Sequence, residues 1–229
     1  MQRRPNALSI AAGAVNSFRC HGVIYMGVDM RRPRKTIMSL YRSPLKPLDV
    51  DTAEGESKER LTFLRETRGP IPNMYANMAH SPGLLATCLD GYDRFRAHSG
   101  FTPAEQETIF LTVSRFFECT YCMAAHSFIV DRVSKTPAQV IDAIRNDEPI
   151  ADERFASLEA MVREMLITQG RPSTAVVGWF TAAGYSDKQV LDIVLAIAVK
   201  SLSNWTNHVF DTELDEKFTD RRWTAPSGR

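Results

Sequence analysis

Cysteine is scarce in this sequence: four in 229 residues, Cys20, Cys88, Cys119 and Cys122. A disulfide-stapled secreted scaffold is smaller and denser in cysteine, so that class is excluded. Long apolar runs are missing as well; none approaches the roughly 20 residues a membrane helix needs. Leu8 to Val15 is short and weakly apolar, with no clean secretory pattern, so the expected compartment is the cytoplasm. An excess of charge of one sign is absent too. The formal net charge is +1, which gives no overall bias towards nucleic acid or a membrane surface. Strand alternation is nowhere sustained, and the expected fold class is all-α.

What charge there is lies unevenly. Residues 1–48 hold nine Lys and Arg against the single acid Asp29, a balance of +8 that leaves the remainder at −7. This stretch also carries the breaks Arg32-Pro33 and Ser43-Pro44-Leu45-Lys46-Pro47, and no helical or strand periodicity lasts in it. It reads as a poorly ordered basic extension, as an organelle-targeting segment, or as sequence upstream of a start at Met26, Met30 or Met38. Residues 49–229 are the expected helical domain.

From Ala53 onwards the pattern is helical. Gly69-Pro70-Ile71-Pro72 stops the first helix. Ser81-Pro82 and Thr102-Pro103 each supply an N-cap and a first-turn proline, and Glu105 completes a capping-box pattern with Thr102. Ala151 to Gln169 is amphipathic through Phe155, Leu158, Met161, Val162, Met165 and Leu166. Ser186 caps a long apolar helix through Val190, Ile193, Val194, Ile197 and Ala198. A final helix is expected from about Asn204 to Phe218. Met74, Met78, Met161 and Met165 read as core.

The stretch with chemistry in it runs from Glu107 to His126: Glu107, eleven residues, Cys119-Thr120-Tyr121-Cys122, three residues, His126. A vicinal dithiol closes to a disulfide with little loop entropy, and its reactivity depends on neighbours that lower a thiol pKa. An imidazole and a carboxylate supply and remove protons. On one continuous helix Glu107 would lie roughly 18 Å from Cys119, too far for a proton relay. Glu107 therefore takes part only if the helix breaks before the cysteines and folds back. Thr120 is an acceptable N-cap past such a break, which puts Cys122 in the first helical turn and His126 one turn on. Rival readings of the same residues are buried structural cysteines and a zinc site with Cys119, Cys122, His126 and Glu107 as ligands, although no second Cys-x-x-Cys knuckle exists.

The full spacing, Glu107-x11-Cys119-x-x-Cys122-x3-His126, resembles the core motif of the alkylhydroperoxidase D (AhpD) family within the carboxymuconolactone decarboxylase-like superfamily. Gly184-Tyr185-Ser186 to Asn204-Trp205-Thr206-Asn207-His208 is similar to its peroxidase-related members. The resemblance covers about residues 60–218. The best-known members carry a histidine between the cysteines, where this chain has Tyr121.

The resemblance implies an AhpD-like helical bundle and hydroperoxide reduction through Cys119, Cys122, His126 and Glu107. It also implies a lipoyl- or thioredoxin-type external dithiol reductant and a homo-oligomer, trimer or hexamer; this chemistry needs no flavin, haem or metal cofactor. Two alternatives stay open. One is a carboxymuconolactone decarboxylase-like enzyme without redox cycling, against which the intact dithiol argues. The other is a non-enzymatic redox-sensing helical protein. A second stretch, 185–210, aligns with the first at an offset of 84 and pairs Cys119 with Ser203 and Cys122 with Thr206. This reads as a degenerate copy of a helical hairpin and suggests pseudo-twofold halves.

Overall fold

The structure, a computed structural model, describes residues 17–20, 23–26 and 40–225. Two units divide the chain, one of residues 1–39 with 226–229 and one of residues 40–225. In the first, β1 (Ser17–Cys20) pairs antiparallel with β2 (Val23–Met26), Phe18 opposite Tyr25. The sequence pattern did not anticipate this ribbon, because four-residue strands are too short to show alternation; Phe18, Val23, Ile24 and Tyr25 nonetheless favour strand. The other expectations for residues 1–39 lie outside the described residues.

The second unit is helical. In order it contains α1 (Gly55–Arg68), α2 (Asn73–Met78), α3 (Pro82–His98), α4 (Pro103–Phe116), α5 (Thr120–Ile129), a π turn (Val130–Ser134) and α6 (Ala138–Asn146). α7 (Glu153–Ile167), α8 (Thr174–Ala182), α9 (Asp187–Phe210) and a 3₁₀ turn (Glu216–Arg221) follow. No helix among the described residues is long and apolar enough to cross a membrane.

Residues 40–48 lie within this unit and are tied to its helices. The Ser43 N–H donates to the Val209 carbonyl at 2.8 Å and the Leu48 N–H to that of Ala76 at 3.1 Å. The Lys46 carbonyl bonds His80 Nε2 at 2.7 Å, and Leu48 packs on the cluster of Leu61, Leu64, Leu85 and Leu89. Prolines removed helical periodicity from residues 40–48 but left extended backbone able to lie on the bundle.

α4 is the central element, with every residue from Glu105 to Arg115 buried. It packs on α5, α6, α7 and α9, while α3 lies along α9. Thr102 and Ser186 begin α4 and α9 with full capping boxes, closed by Glu105 and Gln189. The two aligned stretches thus start alike but do not continue alike. The chain breaks after Phe116 and turns into α5, whereas α9 runs unbroken for 24 residues, about 36 Å. The helix expected from Asn204 to Phe218 is therefore the last two turns of α9, which ends at Phe210, and then a separate 3₁₀ turn.

Candidate active site

The fold-back of α4 onto α5 is made by three residues. Glu118 has φ +57; its N–H donates to the Arg115 carbonyl at 3.1 Å and the Cys119 N–H to that of Ser114 at 3.0 Å. This pair of bonds around a left-handed residue is the Schellman arrangement, here with a glutamate in the place glycine usually takes. Cys119 is the N-cap of α5, one residue before the expected Thr120, and its Sγ accepts from the Cys122 N–H at 3.5 Å. Cys122 lies in the first helical turn, where unpaired N–H groups and the helix dipole favour a thiolate.

The turn brings Glu107 to His126. Nδ1–H of His126 donates to Glu107 Oε2 at 2.8 Å, and Arg96 Nη2 bridges the other carboxylate oxygen. On the far side of the ring, Lys200 Nζ lies 2.8 Å from His126 Nε2 and donates to it. Lys200 is 2% exposed and Cys119 and Cys122 1% each, while Glu107 and His126 are also buried. Asn207, two helical turns beyond Lys200 on α9, donates its Nδ2 to Cys122 Sγ at 3.3 Å and to Cys119 Sγ at 3.7 Å. Ser203 Oγ sits 3.9 Å from Cys122 Sγ. Asn207 Oδ1 is buried without a donor.

This arrangement separates the two thiols. Burial raises the pKa of Cys122, but the Cys119 thiol, the Lys200 ammonium and His126 outweigh burial and hold Cys122 well below the usual thiol range. Burial and then the Cys122 sulfur, as hydrogen-bond partner and charge, push Cys119 up. The surroundings thus favour a thiolate on Cys122 over one on Cys119. Burial also opposes the charge of Glu107, yet His126 and Arg96 keep its carboxylate below the usual range. Burial and the neighbouring Lys200 charge lower His126 against the pull of Glu107. A neutral ring, protonated on Nδ1 and accepting on Nε2, satisfies both neighbours.

All four residues singled out from the sequence therefore meet in one buried cluster, with both cysteines closed off from solvent. The physical reason is a cover. Leu214 and Phe218 from the C-terminal segment and Met74 from α2 share one apolar cluster with the cysteines and Tyr121. Tyr121, in place of an inter-cysteine histidine, faces this cover. Its hydroxyl donates to Asp215, and its ring meets Phe218 edge-on at 5.9 Å. Asp215 also receives the Asn73 N–H at 3.3 Å. A groove of about 520 Å³ opens beside this cover, lined by Thr120, Tyr121, residues 211–214 and residues 222–224.

The zinc reading fits poorly, since both His126 nitrogens are engaged and an ammonium stands against the ring and the thiolate. Among the described residues no group of three or more His, Cys, Asp and Glu converges as metal ligands. Glu118, beside Cys119, is exposed. His208 at the end of the stretch Asn204–His208 is exposed, and Asn207 beside it makes the contact with Cys122. Lys200, Asn207 and Arg96 were missed. A signal for the first two existed: positions 193, 196, 200, 203 and 207 follow helical spacing on one face, so the charge at 200 falls in line with apolar Ile193 and Ala196.

A helical bundle whose central helix folds back to set a carboxylate against a Cys-x-x-Cys helix defines an AhpD-like fold. Comparison with solved structures bears this out. An AhpD-core, peroxidase-related protein from Ralstonia eutropha JMP134 superposes with TM-score 0.66 at 20% identity, over 76% of this chain and 93% of that one. A peroxidase-related protein from Silicibacter sp. TM1040 gives 0.63 at 19%, over 79% and 97%. The debrominase Bmp8 gives 0.64 at 16%, over 79% and 96%, so the fold also carries another activity. Identities this low establish the fold alone. No protein-family model matches the sequence, and no curated protein matches it.

Proposed function

We propose that this chain is a cysteine-based hydroperoxide reductase that cycles Cys119 and Cys122 between dithiol and disulfide. One observation carries the reading: a hydrogen-bonded series Arg96, Glu107, His126 and Lys200 stands beside a dithiol whose Cys122 lies in the first turn of α5. Cys122 attacks the O–O bond and becomes a sulfenic acid; Cys119 condenses with it to a disulfide; an external dithiol of lipoyl or thioredoxin type restores the pair. The unmatched Asn207 Oδ1 supports a substrate bearing an O–H donor, as a hydroperoxide does. A decarboxylase would have no use for two linked thiols, and a pure sensor none for a proton-handling series behind them.

A homo-oligomer is part of the proposal. Leu191, Val194, Ala198, Trp205 and Val209 lie at helical spacing along the exposed side of α9, with Leu191 70% and Trp205 58% exposed. A stripe this long suits a second copy of the chain.

Thiol counting tests the reading. The reduced protein, given one equivalent of an organic hydroperoxide, is expected to lose two titratable thiols per chain, which a dithiol restores. An unchanged count contradicts it.

A further inference from the structure

Lys200 stands in an unusual place for a lysine. Its Nζ is buried beneath the Phe110 ring, 5.6 Å from the centroid, with the ammonium on His126 Nε2. A buried ammonium needs a compensating anion. Glu107, the buried carboxylate of the site, is bridged by Arg96 and His126. Lys200 joins none of the carboxylate ion pairs among the described residues. The anion left to it is the Cys122 sulfur: Lys200 shares the face of α9 that sets Asn207 Nδ2 3.3 Å and Ser203 Oγ 3.9 Å from that sulfur, and its charge lowers the Cys122 pKa.

We propose that Lys200 is a catalytic residue of this site: its ammonium is the fixed counter-charge of the Cys122 thiolate and the proton donor to the alkoxide released from the peroxide. The second role rests on the hydroperoxide-reductase reading; the first does not. The Cys122 thiolate attacks the terminal oxygen of ROOH. An S–O bond forms, the O–O bond breaks, and its electron pair leaves on RO⁻. Lys200 gives that oxygen a proton, so the products are ROH, the Cys122 sulfenic acid and a neutral amine. The Cys119 thiol then displaces water from the sulfenic acid, forming the disulfide. When an external dithiol reduces the disulfide, the regenerated Cys122 thiol returns its proton to the Lys200 amine. His126, fixed by Glu107 in the tautomer with a free Nε2 lone pair, aims the ammonium and takes no net proton.

The groups facing Cys122 are Lys200 and Asn207 from α9, His126 and Tyr121 from α5, Glu107 behind His126, Cys119 at the N-cap and Cys88 from α3. Burial pushes Cys88 up to about 12. The experiment follows the ultraviolet absorbance of thiolate against pH in the reduced full-length protein, with Cys122→Ser as the blank. Wild type is expected to keep one thiolate well below about pH 8.5, the ordinary thiol value. Lys200→Met should shift that titration upward by roughly 1–3 pH units, the effect of an adjacent opposite charge. Lys200→Arg keeps the charge but does not release a proton near neutrality. It should retain the low-pH thiolate and yet slow hydroperoxide-driven thiol loss by about 10²-fold. Helicity by circular dichroism checks folding of each variant, and Lys200→Arg carries the test if Lys200→Met does not fold.

A Lys200→Met titration that overlays wild type overturns the counter-charge role. A Lys200→Arg protein whose thiolate titrates like an ordinary thiol does so as well. A Lys200→Arg protein that reacts as fast as wild type overturns the proton-donor role. Wild type with the low-pH thiolate but inert to hydroperoxide overturns the reductase reading and leaves the counter-charge standing.

Discussion

At the scale of single residues, the two cysteines differ by what surrounds them, not by exposure. Both are buried, but Cys122 has the helix N-terminus, Lys200 and the Asn207 amide, while Cys119 is left as the protonated partner. The division of labour follows. After hydroperoxide, Cys119→Ser should form a sulfenic acid on Cys122 that a trap captures and mass spectrometry locates, with no further turnover. Cys122→Ser should form none. An adduct on Cys119 in the second variant, with none on Cys122 in the first, reverses the roles. The motif residues Glu107, Cys119, Cys122 and His126 were legible because their spacing is itself a pattern. Lys200 and Asn207 belong to a helix remote in sequence and Arg96 to the helix before α4, and which neighbours they meet depends on packing.

At the scale of elements, helix starts were more legible than helix ends. Thr102, Ser173 and Ser186 cap through side chains whose type announces the role. Gly100 and Gly184, at φ +72 and +92, end α3 and α8 in the way glycine signals. The two ends that matter most for the site carry no glycine. α4 ends through Glu118, and α9 through Asp211 at φ +48, with the Thr212 N–H on the Asn207 carbonyl. Both turns adopt the backbone glycine prefers with another residue, so the fold-back was inferred only from what Glu107 would need, and the end of α9 was misplaced.

Helix spacing also positions the site. A Cβ on Gly91 of α3 would lie 2.7 Å from Val199 Cγ2 of α9, next to Lys200. Val199 is β-branched and buried, so it has little room to turn away. Gly91→Ala gains about 1 kcal/mol of helix propensity, but overpacking of this kind costs about 1–3 kcal/mol. The expected result is a lowered midpoint of chemical denaturation and slower thiol oxidation, as α9 is pushed from α5. A variant more stable than wild type, with unchanged thiol oxidation, contradicts this view of the contact.

At the scale of the whole molecule, the helical unit of residues 40–225 encloses its reactive sulfur pair. Leu214 and Phe218 cover the cysteines, with the cover fastened by the Tyr121–Asp215 and Asn77–Thr212 hydrogen bonds. All-α composition and helical order were readable from periodicity. The cover and the strap of residues 40–48 were not, because irregular backbone held by hydrogen bonds has no period. In the proposed reading, peroxide and dithiol both have to reach a site this enclosed, and the groove beside Tyr121 opens next to its cover. The most direct test of the central claim is the stoichiometry of turnover by the intact protein, supplied with an organic hydroperoxide and a reduced lipoyl dithiol. The account expects one equivalent of dithiol oxidised for each equivalent of hydroperoxide reduced to alcohol, with the activity abolished in Cys122→Ser. Hydroperoxide loss no faster than in the protein-free mixture, or equal loss with Cys122→Ser, would contradict it.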